Sequence, residues 1–248
     1  MNEIHIALSA EKITEFLGIQ VTNTLLMSFI VVGILFILAF FIGRKPKLIP
    51  GRVQILFESL FIYVMTYMEE TLESKKLAKK FFPLILTIFL FIFIANLIEF
   101  TPGIGSIGFY VGSETEQEFI PLLRSMNTDL NITLALAMIS FLVIEITGVV
   151  TIGFFKYFSK FINFKSFLGF IIGIIELFSE IARLIAFSFR LFGNIFAGEV
   201  LILVITFFVP LVLPVPLMAF EVFVGFIQAA IFSLLTLFFI KIAITEPH

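Results

Sequence analysis

The residues of this chain that can do chemistry sit where hydrocarbon should be. Residues 167–209 are mostly apolar and free of proline, yet they hold Glu176, Glu180, Arg183, Arg190, Asn194 and Glu199. The first five step by 4, 3, 7 and 4 residues, which puts them on one face of a helix as a polar stripe. Glu199 comes nine residues after Arg190, about 180° around the axis. One helix would therefore show arginines on one side and a lone carboxylate on the other. Charges inside a bilayer are costly and mark ion or proton paths. Glu180 and Arg183 admit a second reading, an i,i+3 ion pair that neutralises itself. Arg190 does not, because the residues three and four away are Ala186, Phe187, Gly193 and Asn194. A guanidinium cannot shed its proton, so its counter-charge must come from another helix or another subunit.

Other polar residues are scattered through apolar runs. Glu221 and Gln228 are seven apart and share a helical face; Gln228 reads either as an interhelical hydrogen-bond donor or as part of a path. Asn96 reads as a satisfied amide. Glu145 either pairs with an arginine of a neighbouring helix or lines a wet crevice. Glu99, Glu246 and His248 fall near interfaces and need no special role. There is no P-loop, HExxH, GxSxG in context or nucleotide fingerprint, so the chain cannot itself make or split ATP. With no cysteine and only two histidines, both near the termini, no metal site and no cofactor are expected.

Composition dictates the scaffold. Of 248 residues, 60% are hydrophobic and 14% charged, against about 25% charged in soluble domains. The mean hydropathy is +1.16. A soluble sphere of this size has too little interior for so much apolar surface, so the chain is an integral membrane protein. A net charge of -2 gives no reason to expect nucleic-acid binding.

The spans follow from the apolar runs. Residues 1–24 carry Glu3, Glu11, Lys12 and Glu15 and lack the basic start and cleavage site of a signal peptide. Span one, 25–42, is uncharged and about 27 Å long as a helix. The basic Arg44, Lys45, Lys47 and Arg52 lead into residues 51–74, whose apolar Val53, Leu56, Phe57, Leu60 and Val64 predict an amphipathic surface helix. After Lys75, Lys76, Lys79 and Lys80 comes span two, 81–98. Residues 101–112 are Gly-rich and turn-like, and Glu114, Glu116 and Glu118 make an acidic loop. Asn127-Thr128-Asp129 is an N-cap for span three, 132–155. Residues 167–209 would be about 65 Å long as one helix, so they break into two spans or tilt steeply. Pro210, Pro214 and Pro216 force a turn before the final helix, 217–244.

Orientation follows from the basic residues, 11 of 16 of which lie in the loops after spans one and three. Those loops should be cytoplasmic, with the N-terminus and the acidic loop outside. Five crossings put the C-terminus inside, beside Lys241; six put it outside. No internal repeat is visible, which weighs against an inverted-repeat transporter.

The run Ser188-Phe189-Arg190-Leu191-Phe192-Gly193-Asn194-Ile195-Phe196-Ala197-Gly198-Glu199 resembles the signature of subunit a of F-type ATP synthases. Thr128-Asp129-Leu130-Asn131-Ile132-Thr133-Leu134-Ala135-Leu136 resembles the start of that family's third span. Glu176 with Ser179-Glu180-Ile181-Ala182-Arg183 resembles the lead-in to its arginine, and Phe226-Ile227-Gln228-Ala229-Ala230 its final helix. Asn96-Leu97-Ile98 before Pro102-Gly103 also fits, so the resemblance covers nearly the whole chain in order.

The resemblance implies an all-α polytopic fold with five transmembrane helices, the last two long and tilted, plus the surface helix. It implies a bacterial plasma (inner) membrane protein with its N-terminus outside and its C-terminus cytoplasmic. Its partners would be the c-subunit ring, the peripheral-stalk b subunits, the rest of the ATP synthase and membrane lipid. Its function would be proton translocation by the stator, through two offset half-channels separated by Arg190. Glu199, Glu221 and Asp129, with Asn194 and Gln228, would match the outer half-channel; Glu176 would match the cytoplasmic one. Two departures stand out. Many bacterial relatives have His where Glu221 stands, so two acids occupy the access site and can share one proton. Leu184 replaces a common proline. Glu145 has no family role. The alternatives are a stand-alone ion channel or secondary transporter, which would work without a ring, and a passive membrane anchor, which would tolerate loss of Arg190.

Overall fold

The computed structural model describes residues 10–16, 18–43, 51–99, 107–113, 116–161, 167–210 and 212–245. Glu3, Arg44, Lys45, Lys47, Pro102-Gly103, Glu114, Lys165, Glu246 and His248 lie outside the described residues. Among the described residues five helices are long and apolar enough to cross a membrane. They are α1 (Asn23–Gly43), α3 (Lys75–Glu99), α4 (Leu130–Ile152), α6 (Phe167–Phe208) and α7 (Pro214–Ile244). Two more helices are α2 (Arg52–Leu72) and the short α5 (Phe154–Phe158). The 42 residues of α6 form a single helix, about 63 Å long, so its sequence makes one oblique crossing rather than two.

Helix ends depart from the apolar runs for identifiable reasons. α3 begins at Lys75, because lysine stems can pack along the first turns while their ammonium groups reach outward. α4 stops at Ile152 because Gly153 takes φ +96°, a conformation that suits only glycine; the chain then restarts as α5. Asp129 caps α4 by accepting the Asn131 backbone N–H at 2.9 Å. α7 begins at Pro214, whose missing N–H costs nothing in the first turn.

Among the described residues there are two β-hairpins, one before α1 and one in the loop between α3 and α4 that was expected to be turn-like. β1 (Lys12–Phe16) pairs with β2 (Ile19–Thr22), turning at Gly18 with φ +81°. β3 (Gly108–Ser113) pairs with β4 (Glu116–Pro121) in the loop before α4.

α7 lies at the centre, packed on α3, α4 and α6. Close approach is built in at Gly225, where a Cβ would stand 2.8 Å from the Cβ of Asn96 on α3. Asn96 donates to the Gly225 carbonyl at 3.0 Å and accepts from Asn127 at 2.5 Å. The amphipathic α2 docks through Met68 and Leu72 onto Phe81 and Ile85 of α3 and Leu237 and Ile240 of α7. Glu73, just past its end, pairs with Lys241 at 3.1 Å. The outer faces stay oily, with Phe29, Phe36, Phe41, Phe155 and Phe178 all exposed, as a lipid-facing surface requires.

Candidate functional site

Among the described residues three clusters of charged side chains interrupt this apolar bundle. The first lies in an open groove of about 360 Å³ between α6 and α7, lined by Ser179, Ala182, Arg183, Ala186, Arg190 and Phe239 among others. Ser179, Ala182, Ala186, Arg190, Asn194 and Ala197 recur every three or four residues and are all exposed. They make a smooth face with one guanidinium in its middle. Among the described residues no carboxylate pairs with Arg190. Asn194 stands one turn further along the same face.

The anticipated polar stripe splits. Glu180 is only 4% exposed and turns into the bundle, whereas Arg190 turns out. Ten residues separate them, and at about 100° per residue they lie about 80° apart. That difference puts one on each edge of the stripe. Glu176, half-buried, does not line the groove.

The second feature lies at the end of the bundle where α4 and α7 begin. Glu199 of α6 approaches Arg124, in the loop before α4, at 3.8 Å. Its Oε2 is buried and accepts no hydrogen bond. Glu221 of α7 is buried against Gly198 of α6, where an added Cβ would overlap its carboxylate. Glu99, the last residue of α3, accepts from the Ser125 hydroxyl at 2.8 Å and lies within electrostatic reach of Glu199, Glu221 and Arg124. Three carboxylates from three helices thus converge near one guanidinium. Glu199 and Arg190 address different surroundings, as their spacing requires.

Asp129 lies beside this cluster with its oxygens already engaged. It accepts from the Thr24 hydroxyl at 2.8 Å and from Asn131, tying α1 to the start of α4. Gln228 is buried on α7, one turn past Gly225, and does not line the groove.

The third feature lies near the opposite end. Tyr157 of α5 donates to Glu145 of α4 at 3.0 Å. Lys160 donates to the Tyr157 hydroxyl at 2.8 Å and to Glu180 at 3.1 Å. Arg183 donates to Glu180 at 2.8 Å, and its guanidinium lies 4.0 Å from the centre of the Phe239 ring. The i,i+3 pair is therefore real, but it belongs to a larger network. Burial first, then the Glu145 carboxylate, push the Tyr157 phenol up from its ordinary value, so it remains a hydrogen-bond donor. Tyr157 reaches Glu145 because Gly148, one turn along α4, leaves room for its ring.

Sequence reasoning set Glu99 aside and did not single out Arg124, Tyr157 or Lys160. Each draws its meaning from a residue on another element, and no local spacing signals such a contact. Among the described residues no group of three His, Cys, Asp or Glu side chains could hold a metal ion.

A family model described as "ATP synthase A chain" matches residues 25–241. "ATP synthase subunit a 2" of Syntrophotalea carbinolica is 33% identical over 99% of this chain and 94% of its own length. "ATP synthase subunit a" of Campylobacter concisus is 32% identical over 86% of each chain. "ATP synthase subunit a" of Campylobacter jejuni is 32% identical over 81% of this chain and 80% of its own.

Proposed function

The chain belongs to the ATP synthase A chain family, and from that premise we propose that it is the ion-translocating stator subunit of a bacterial ATP synthase. Its partner is the rest of that complex, and the surface that meets the rotor is the α6 face centred on Arg190.

One observation carries this reading: Arg190 is an outward-facing guanidinium in a membrane helix, and among the described residues no carboxylate pairs with it. Left against lipid it would be prohibitively costly. A partner carrying a carboxylate into the membrane supplies its counter-charge, and the small Ser179, Ala182, Ala186 and Ala197 let that partner's backbone come close. A ring of c subunits, each bringing one carboxylate past Arg190, meets both requirements. At about 4 Å and an effective dielectric near 20, the attraction is about 4 kcal/mol. That is enough to hold the carboxylate ionised and too little to stop the next one displacing it.

Two routes then serve the groove. Glu199, Glu221 and Glu99, with Arg124 beside them, form the outer route, where carboxylates take up and pass on protons. Asn194 extends it along the rotor face and Gln228 backs it from α7. Asp129 holds α1 and α4 in register at its rim. Glu176 and Ser179 lie along the cytoplasmic route, and Arg190 stands between the two, repelling a proton that would hop directly across. The N-terminus is outside and the C-terminus cytoplasmic, as the lysine-rich loops require. Peripheral-stalk b subunits grip the cytoplasmic side.

The test is Arg190→Ala in the assembled complex, with ATP-driven proton pumping measured in inverted membrane vesicles. Pumping should be lost while the complex still forms. Normal coupled pumping in that variant overturns the reading.

A further inference from the structure

Arg183 and Arg190 line the same groove, seven residues apart on α6, or about 10 Å along the axis. Yet they are electrostatic opposites. Arg183 has the Glu180 carboxylate at 2.8 Å; Arg190 has none among the described residues. Glu180 is itself held by Lys160 at 3.1 Å, Lys160 by Tyr157 at 2.8 Å, and Tyr157 by Glu145 at 3.0 Å. Lys160 also sits over the Tyr157 and Phe161 rings, at 4.0 and 4.5 Å. The chain of contacts runs unbroken from the middle of α4 to the wall of the groove.

The charges around Arg183 are few. Glu180 faces it from its own helix, Lys160 and Tyr157 from α5 and the turn after it, and Glu145 from α4 behind them. Among the described residues α7 contributes apolar Leu235 and Phe239 to the shared groove, and α6 contributes Arg190, with Glu176 two turns before Arg183. Lys160 and Arg183 thus share Glu180 as their direct carboxylate partner, and Glu145 joins through Tyr157. Such a network tolerates burial only while every member is present, because removing one leaves an uncompensated charge.

We propose that Glu145, Tyr157, Lys160 and Glu180 are positioning residues that neutralise Arg183 and pin it against Phe239, so that Arg190 alone sets the field a rotor carboxylate meets. This rests on the stator reading above. Losing Glu180 gives the groove a second uncompensated guanidinium, and a carboxylate there ionises at lower pH. Losing Lys160 or Arg183 takes a positive charge out of the network, and the shift reverses.

The experiment is a charge series in inverted vesicles, whose outer buffer sets the pH at the cytoplasmic face, with ATP-driven pumping normalised to assembled complex. Glu180→Gln should move the pH profile toward acid by about half a unit. Lys160→Gln and Arg183→Gln should move it toward alkali, and Glu180→Gln with Arg183→Gln should restore it. A merely structural network would lower all the rates without opposing shifts. Profiles that move in the same direction for Glu180→Gln and Lys160→Gln, or do not move, overturn the proposal. Should a single variant fail to assemble, the neutral double variant decides: a shifted profile or loss of the complex overturns it. Arg190→Ala in the same vesicles separates the two claims. If it abolishes pumping while the profiles stay put, only the network's role falls.

Discussion

The Glu221 carboxylate on α7 lies over Gly198 on α6, in the space that a Cβ at position 198 would fill. The glycine next to one acid of the cluster is thus the seat of another. What a Cβ would displace is the far end of a flexible side chain, so the backbone need not move.

Gly198→Ala should leave assembly near normal but push the Glu221 carboxylate aside. Coupled pumping is expected to fall roughly tenfold, the scale of a misplaced proton-transfer group. The check compares the subunit retained in the purified complex with the pumping rate. A lost complex, or unimpaired pumping, would show that Glu221 does not depend on this seat.

Glu99→Gln keeps the acceptor for the Ser125 hydroxyl and removes only the charge and the exchangeable proton. Glu199→Gln does the same beside Arg124. Each should cut coupled pumping about tenfold or more between about pH 6 and 9, with assembly little changed. Wild-type rates across that range would remove the residue from the outer route.

The α3–α7 seam offers a graded test of packing. Asn96→Ala leaves the buried Asn127 amide without its acceptor and the Gly225 carbonyl without its donor, a cost of about 1–3 kcal/mol. Gly225→Ala places a methyl against the Asn96 Cβ, which cannot swing away, so the helices must part at about 1–3 kcal/mol. Both variants should lower the melting temperature of the detergent-solubilised complex, and both should respond to the same seam. Their combination should therefore be less than additive.

Gly148→Ala should expel the Tyr157 ring, break its bond to Glu145 and loosen α5 from α4. The expected signature is faster proteolysis between Gly153 and α6, with the α4 span itself intact. An unchanged cleavage rate would mean that Tyr157 is not what holds α5 down.

Part of this was legible in the sequence and part was not. Arg190 was, because the absence of an acid at three or four residues is a local fact. The five crossings were only half legible. A 43-residue apolar run fits one tilted helix or two spans, and periodicity is the same in both. The Glu180–Arg183 pair could be read from its spacing, but Lys160, which turns the pair into a network, lies 20 residues away across a loop. Glu99 looked like an interface residue because its partners are the Ser125 hydroxyl and acids on two later helices.

Composition, hydropathy and the spacing around Arg190 determined by themselves that this is a multi-pass membrane protein with an arginine that has no acid within reach on its own helix. Those properties depend on residue type and on spacing within one helix, where geometry is fixed by the backbone. Which acids gather at Arg124, which arginine is neutralised and which is left bare were decided only in the tertiary structure. Burial and pairing between helices depend on how each is rotated about its axis. The packing at Gly148, Gly198 and Gly225 sets those rotations, through contacts with residues far away in the chain.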